Sequence, residues 1–294
     1  MTARRGASPP RPAAGLVQLG PSRPLYHDHM SFTLPRRALI GMVHCHSLPG
    51  TPHHHHRLDR IVDDAVSDAK ALAQAGFDAI LLENMHDRPY TLPPHPPEIT
   101  STLTRTALAI RAALPRLALG IQVLACGERE ALAIALASDA HFIRCENFVF
   151  SHIADEGHLP TAAAGPLLRY RRSIGADHIR IYADIKKKHA SHAITGDLSL
   201  QETARAAEFF SADGLIVTGV ATGQATDPED VAAVSSATRL PLLVGSGVTP
   251  KNLPDLFAAG ADALIVGSAI KRGGLWSNVV DPKRARTLIA SRKK

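Results

Sequence analysis

A glycine or serine that ends a run of apolar residues leaves main-chain N–H groups open to an anion, and this chain does so twice. The runs LPLLVGS (240–246) and DALIVGS (262–268) stop at Gly245-Ser246 and Gly267-Ser268, 22 residues apart. Glycine lets the backbone approach phosphate oxygens, and the amides of such a turn point at them. Ser246, Gly247, Gly267 and Ser268 are the expected donors, and Lys271 could add charge. A second set of chemistry-bearing side chains ends other β-rich runs: His44, Glu83, Gln122, Glu146, Asp184 and Thr218. Carboxylates beside a His or Lys suit general acid–base work when burial or a cationic neighbour shifts their titration.

These residues fall on a repeating unit of short β-rich run, polar loop and Ala-rich helical segment. The runs are 38–44, 77–83, 117–124, 141–146, 178–185, 213–219, 240–246 and 262–268, with helical patterns such as 60–76, 99–114, 128–138, 198–210 and 228–237. Eight strands each followed by a helix predict an α/β fold, a single (β/α)8 TIM barrel. The two Gly-Ser turns then occupy the loops after strands 7 and 8, where barrels of this kind commonly bind phosphate.

Alternation along strands sorts core from chemistry. In HIRIYADIKKKH the isoleucines and Ala183 share one parity, so Arg180, Tyr182, Asp184 and Lys186 should point inward, the last two at the mouth. Ile143 and Cys145 pack outward, which turns Arg144 and Glu146 inward. His44, Glu83 and Asp184 could alternatively hold a divalent ion through mixed N and O ligands. They come from separate strands, so spacing gives no test, and the acid–base reading is preferred with no metal assigned. Four consecutive histidines, His53–His56, cannot all face one ion, and neighbouring prolines place them in a solvated loop.

The chain has 294 residues, 45% of them hydrophobic, enough for one large core. Its net charge of +6 sits at the ends: residues 1–28 carry +3 and 281–294 carry +5, leaving −2 for the body. With no aromatic-rich basic stripe, nucleic-acid binding is not expected. No apolar run reaches the length of a membrane span, so membrane insertion is not expected either. Cys45, Cys126 and Cys145 give no disulfide framework and favour a reducing compartment. Residues 1–30, rich in Pro, Gly and Arg, should be a disordered extension before a barrel over 38–291. The expected location is cytoplasmic; the alternative is mitochondrion or plastid if residues 1–30 are a transit peptide. Ala-rich helix faces point to a homo-oligomer.

Long motifs carry a family resemblance. IGMVHCHSLPGTP (40–52), ILLENMHDRPY (80–90), RCENFVFSHIADEGHL (144–159), ADIKKKHA (183–190), ADGLIVTGVATGQATD (212–227) and VGSGVTPKNL (244–253) resemble the BtpA/SgcQ family over about residues 38–275. The resemblance implies a ribulose-phosphate-binding barrel. It also implies site positions at His44, Glu83, Asn84, Asp87, Asp184, Lys188 and His189. The family is named for a factor that photosystem I needs to accumulate, and other members occur in bacteria without photosynthesis. The expected function is therefore an enzyme acting on a small phosphorylated metabolite, a sugar or nucleoside phosphate, by isomerase, epimerase or lyase chemistry. In that enzyme Asp184 is the expected general base. The alternative is a non-catalytic assembly factor for a membrane complex such as photosystem I.

Overall fold

A computed structural model of the protein describes residues 32–219 and 223–292, so the extension expected over residues 1–30 lies outside the described residues. The elements run β1 (Ala38–His44), α1 (Leu58–Ala75), β2 (Ala79–Glu83), α2 (Pro97–Ala113), β3 (Ala118–Gln122), α3 (Glu128–Ala137), β4 (Phe142–Cys145), β5 (His152–Ala154), β6 (Gly157–Leu159) and α4 (Ala164–Ser173). They continue with β7 (Arg180–Ile185), β8 (Ala190–Ser191), α5 (Leu200–Phe209), β9 (Gly214–Val217), α6 (Pro228–Ala237), β10 (Leu242–Val244), α7 (Leu253–Ala258), β11 (Ala263–Val266) and α8 (Pro282–Ser291).

Eight parallel strands close a barrel in the order β1-β2-β3-β4-β7-β9-β10-β11, with β11 returning to β1. This is the (β/α)8 barrel expected from the sequence. The remaining strands, β6-β5-β8, form a small antiparallel sheet from the connections that follow β4 and β7. Strands of two or three residues are too short to show alternation, which is why the sequence did not announce them.

Helix ends follow from local chemistry. Asp227 and Asp281 accept from the backbone N–H groups of Glu229 and Lys283, each at 2.9 Å, and each is followed by Pro at the first helical position. Ser199 and Glu202 satisfy each other's backbone N–H at the start of α5.

Two apolar layers result. The outward strand faces and the inner helix faces form the main core, including Leu39, Ile80, Ile121, Ile143, Ile181 and Leu215. Inside the barrel a second cluster joins Ile40, Met42, Leu81, Phe142, Tyr182, Ile216, Leu243 and Ile265. The Phe142 and Tyr182 rings, with centroids 5.3 Å apart, fill the floor. Glycine makes room for both. A Cβ at Gly120 would lie 2.1 Å from Phe142 Cε2, and one at Gly214 would lie 2.6 Å from Tyr182 Cδ1. Below them Phe32 stacks on Phe142 at 6.0 Å and gives its carbonyl to Arg180 Nε at 3.2 Å.

Gly120→Ala should therefore force the Phe142 ring to move and cost about 1–3 kcal/mol as overpacking, measured as a lower urea midpoint. Most of that loss should return in a Phe142→Leu background. A midpoint unchanged by Gly120→Ala would show that the floor is not close-packed.

Candidate active site

Strand register brings the first site residues together. His44 pairs with Glu83 across β1 and β2, and Glu83 pairs with Gln122 across β2 and β3, so the three strand ends are neighbours at the mouth. His44 Nε2 lies 3.4 Å from Glu83 Oε2. His44 Nδ1 lies 2.9 Å from the Trp276 carbonyl oxygen. A carbonyl only accepts, so Nδ1 carries the proton and Nε2 of the neutral ring faces the carboxyl. Burial, aided by the charge of Lys271, holds His44 well below the usual imidazole range. Burial likewise pushes Glu83 up to about 7, against the pull of Lys188 and Arg144.

These two groups open on a cavity of about 350 Å³. It is also lined by Arg144, Lys188, Met42, Met85, Ile265 and Trp276, and by residues 245–250 and 267–269. Ser246, Gly247, Gly267 and Ser268 thus face the same space as Glu83 and His44. The first of these loops is fixed by Asn252, which accepts from Thr249 N–H at 2.8 Å and donates to the Gly247 carbonyl at 3.0 Å. Gly247 sits at φ +62°, and a Cβ there would lie 2.2 Å from the Gln224 carbonyl oxygen, so only glycine fits. A Cβ on Gly267 would instead stand 3.8 Å from His44 Cε1.

Arg144 is buried and holds Asp184 by two parallel bonds, Nε to Oδ1 and Nη2 to Oδ2, both 2.9 Å. Asp184, expected to meet substrate as a base, has both carboxylate oxygens bonded to Arg144 and does not line this cavity. Lys186 is corrected as well. β7 ends at Ile185, and Lys186 adopts φ +51°, which breaks the parity and sends its ammonium to the Leu198 carbonyl. Lys188 takes the place at the cavity, where burial and then the Arg144 charge lower it below the usual ammonium range. It makes no hydrogen bond or direct ion pair with another described residue; Glu83, Asp184 and Glu146 act on it across space.

Other expected members lie outside the cavity. Glu146 accepts from Cys126 N–H at 2.9 Å and sits 3.6 Å from Lys187. His189 is exposed beside Asp155 at 3.7 Å. Asn84 and Asp87 brace loops: Asn84 donates to Asp87 at 2.8 Å and accepts from Leu124 N–H at 2.7 Å, while Asp87 accepts from Leu48 N–H at 2.7 Å. Gln122 and Thr218 keep interior strand-end positions away from the cavity wall. Lys271, expected to add charge, is buried against Asp68 at 2.9 Å, tying α1 to the segment after β11. Among the described residues no three His, Cys, Asp or Glu converge as metal ligands, and Asp184 is turned to Arg144 rather than to His44 and Glu83.

The sequence reading missed Trp276, Arg284 and Met85. Trp276, the chain's single tryptophan, follows Gly273-Gly274 in a loop with no periodicity, and that loneliness was the one available signal. Its indole packs against Arg88, whose Cζ lies 4.8 Å from the ring centroid, and against His86 at 5.0 Å.

A raised carboxyl in the fold means that the native state binds more protons than the unfolded chain between about pH 4.5 and 7, so Glu83 costs stability as pH rises through that window. Glu83→Gln should gain stability relative to the parent between pH 4.5 and 8, by on the order of 1–3 kcal/mol, measured by urea unfolding at several pH values. A difference independent of pH would place Glu83 in water.

Comparison with known proteins agrees with this architecture. The BtpA family matches residues 35–294. An uncharacterised mitochondrial protein of Caenorhabditis elegans is 43% identical over 253 residues, covering 85% of this chain and 90% of that one. The photosystem I biogenesis protein BtpA of Synechocystis is 34% identical over 252 residues, covering 85% and 86%. Among solved structures, (S)-3-O-geranylgeranylglyceryl phosphate synthase of Thermoplasma acidophilum, bound to sn-glycerol-1-phosphate, gives a TM-score of 0.56 at 18% identity, covering 88% and 94%. 3-Hexulose-6-phosphate synthase gives 0.53 at 17%, covering 86% and 99%. These structures share the fold. By sequence, the chain belongs to the BtpA family.

Proposed function

We propose that the barrel is an enzyme acting on a small phosphorylated metabolite by acid–base chemistry of the isomerase, epimerase or lyase type. One observation carries this reading: a single cavity is lined by both Gly-Ser loops and by the Glu83–His44 pair. Phosphate held by residues 245–250 and 267–269 would leave the rest of a small molecule against Glu83. A carboxyl near 7 can give or take a proton at neutral pH. Arg144 supplies positive charge for an oxyanion formed on the way. The sn-glycerol-1-phosphate bound by one structural relative, and the sugar phosphate in the name of another, support the choice of ligand class.

The name of the Synechocystis relative favours a second reading, an assembly factor for a membrane complex, in which the cavity is not used for turnover. Among the described residues no helix is long and apolar enough to cross a membrane. The name of the worm relative supports a mitochondrial address for the acid-poor first 30 residues. Phe209 and Phe210, 83% and 50% exposed at the end of α5, support self-association.

Inorganic phosphate or sugar phosphates at about 100 times Kd should add about 2.7 kcal/mol of stability, read as a rise in Tm. Ser268→Asp, which brings a negative charge to the anion's seat, should abolish the rise without unfolding the protein. A rise retained in that variant puts the phosphate elsewhere. Proton abstraction can be read separately, as deuterium entering the carbon next to the carbonyl of dihydroxyacetone phosphate or an aldose phosphate in heavy water. Glu83→Gln should slow that exchange on the order of 10²-fold or more. An equal rate in the variant removes Glu83 from the chemistry, and the assembly reading expects no exchange at all.

A further inference from the structure

We propose that Lys188 is a covalent nucleophile of this cavity, its Nζ forming a Schiff base with the carbonyl carbon of a phosphorylated ketone or aldehyde. The inference rests on the reading above and narrows it to carbonyl substrates.

The sequence offers three consecutive lysines, and the structure commits two of them. Lys186 donates to the Leu198 carbonyl. Lys187 is buried between Glu146 at 3.6 Å and Glu156 at 3.5 Å. A lysine so paired stays charged and cannot attack. Lys188 alone of the three lines the cavity, and it does so without a direct partner among the described residues. The neighbour that would have neutralised an ammonium there, Asp184, is already taken by Arg144 through both oxygens.

A partly buried lysine beside a fixed cation is the setting in which a neutral amine persists near neutral pH. Burial and the Arg144 charge both lower Lys188, in agreement with that geometry. The cavity also holds the acid that the reaction needs. The amine lone pair adds to the carbonyl carbon, the C–N bond forms, and the C–O π pair moves to oxygen. That oxygen takes one proton from the amine and one from protonated Glu83, and it leaves as water. The products are an iminium on Lys188 and the Glu83 carboxylate, so atoms and charge balance with no outside oxidant or reductant. The iminium withdraws electrons from the adjacent carbon, where the new carboxylate can take a proton or a C–C bond can break.

The purified protein is incubated with dihydroxyacetone phosphate, or with a phosphorylated 2-keto acid, and treated with sodium borohydride. Reduction of the iminium should fix one ligand on the peptide that contains Lys188, located by mass spectrometry. Excess inorganic phosphate should suppress the label, since it competes for the Gly-Ser loops. Lys188→Met should lose at least 10-fold of the label while keeping its phosphate-dependent rise in Tm. Label on another lysine overturns the proposal. So does unlabelled parent protein that is still stabilised by phosphate, a result that leaves the phosphate-enzyme reading standing. Absence of both label and stabilisation removes both.

Discussion

The site depends on one buried ion pair. Arg144 on β4 and Asp184 on β7 meet through two 2.9 Å hydrogen bonds, with both side chains nearly closed to solvent. A lone charge at that depth would be costly, and removing either partner would leave the other buried and unpaired. The bidentate geometry fixes the guanidinium plane and uses two of its five N–H donors. The guanidinium still borders the cavity, close to Gly245, where an added Cβ would meet Nη2 at 3.4 Å. Asp184 thereby serves the site as a positioning residue, and its charge is spent on Arg144 rather than on Lys188.

The floor beneath the pair sets how strongly these charges are felt. Phe142, Tyr182 and the aliphatic residues around them fill the barrel without polar company except at its lower rim. The Glu83 and His44 side chains are nearly closed to solvent, and His44 bonds the Trp276 carbonyl. Desolvation is accordingly the leading cause of both shifts, raising the acid and lowering the base. The fold and the chemistry are linked at Gly120 and Gly214, whose missing side chains allow the aromatic floor to form.

Much of this was legible in the sequence. The eight strands announced themselves because each is a short run rich in β-branched or other apolar residues between polar loops, and parity turned Arg144 and Asp184 inward, on the side of Phe142 and Tyr182. Parity could not show that the two would meet, since 40 residues separate them and the contact depends on how β4 lies beside β7. It failed at Lys186 for a local reason: a left-handed residue after the strand resets the facing of everything beyond it. Asn84 and Asp87 entered as site positions through the family resemblance, whereas their buried hydrogen bonds go to loop backbone and to each other. Trp276 belongs to a connection with no repeat to read.

That connection does more than cover the cavity. The carbonyl of Trp276 accepts the Nδ1–H of His44, which leaves Nε2 unprotonated 3.4 Å from Glu83 Oε2. A neutral imidazole with its Nδ1–H engaged can accept a proton from Glu83 but has none to offer at Nε2, so the pair holds a single mobile proton. The His44 tautomer is thus set by a backbone atom in a loop, and Arg88 and His86 pack against the indole of that loop. Gly273 and Gly274, both at positive φ, give the chain its turn into that loop. Any movement of the loop that releases the carbonyl would free the Nδ1 proton and let the ring exchange tautomers. The segment that lines the cavity through Trp276 and the hydrogen bond that fixes the His44 tautomer are therefore the same piece of chain.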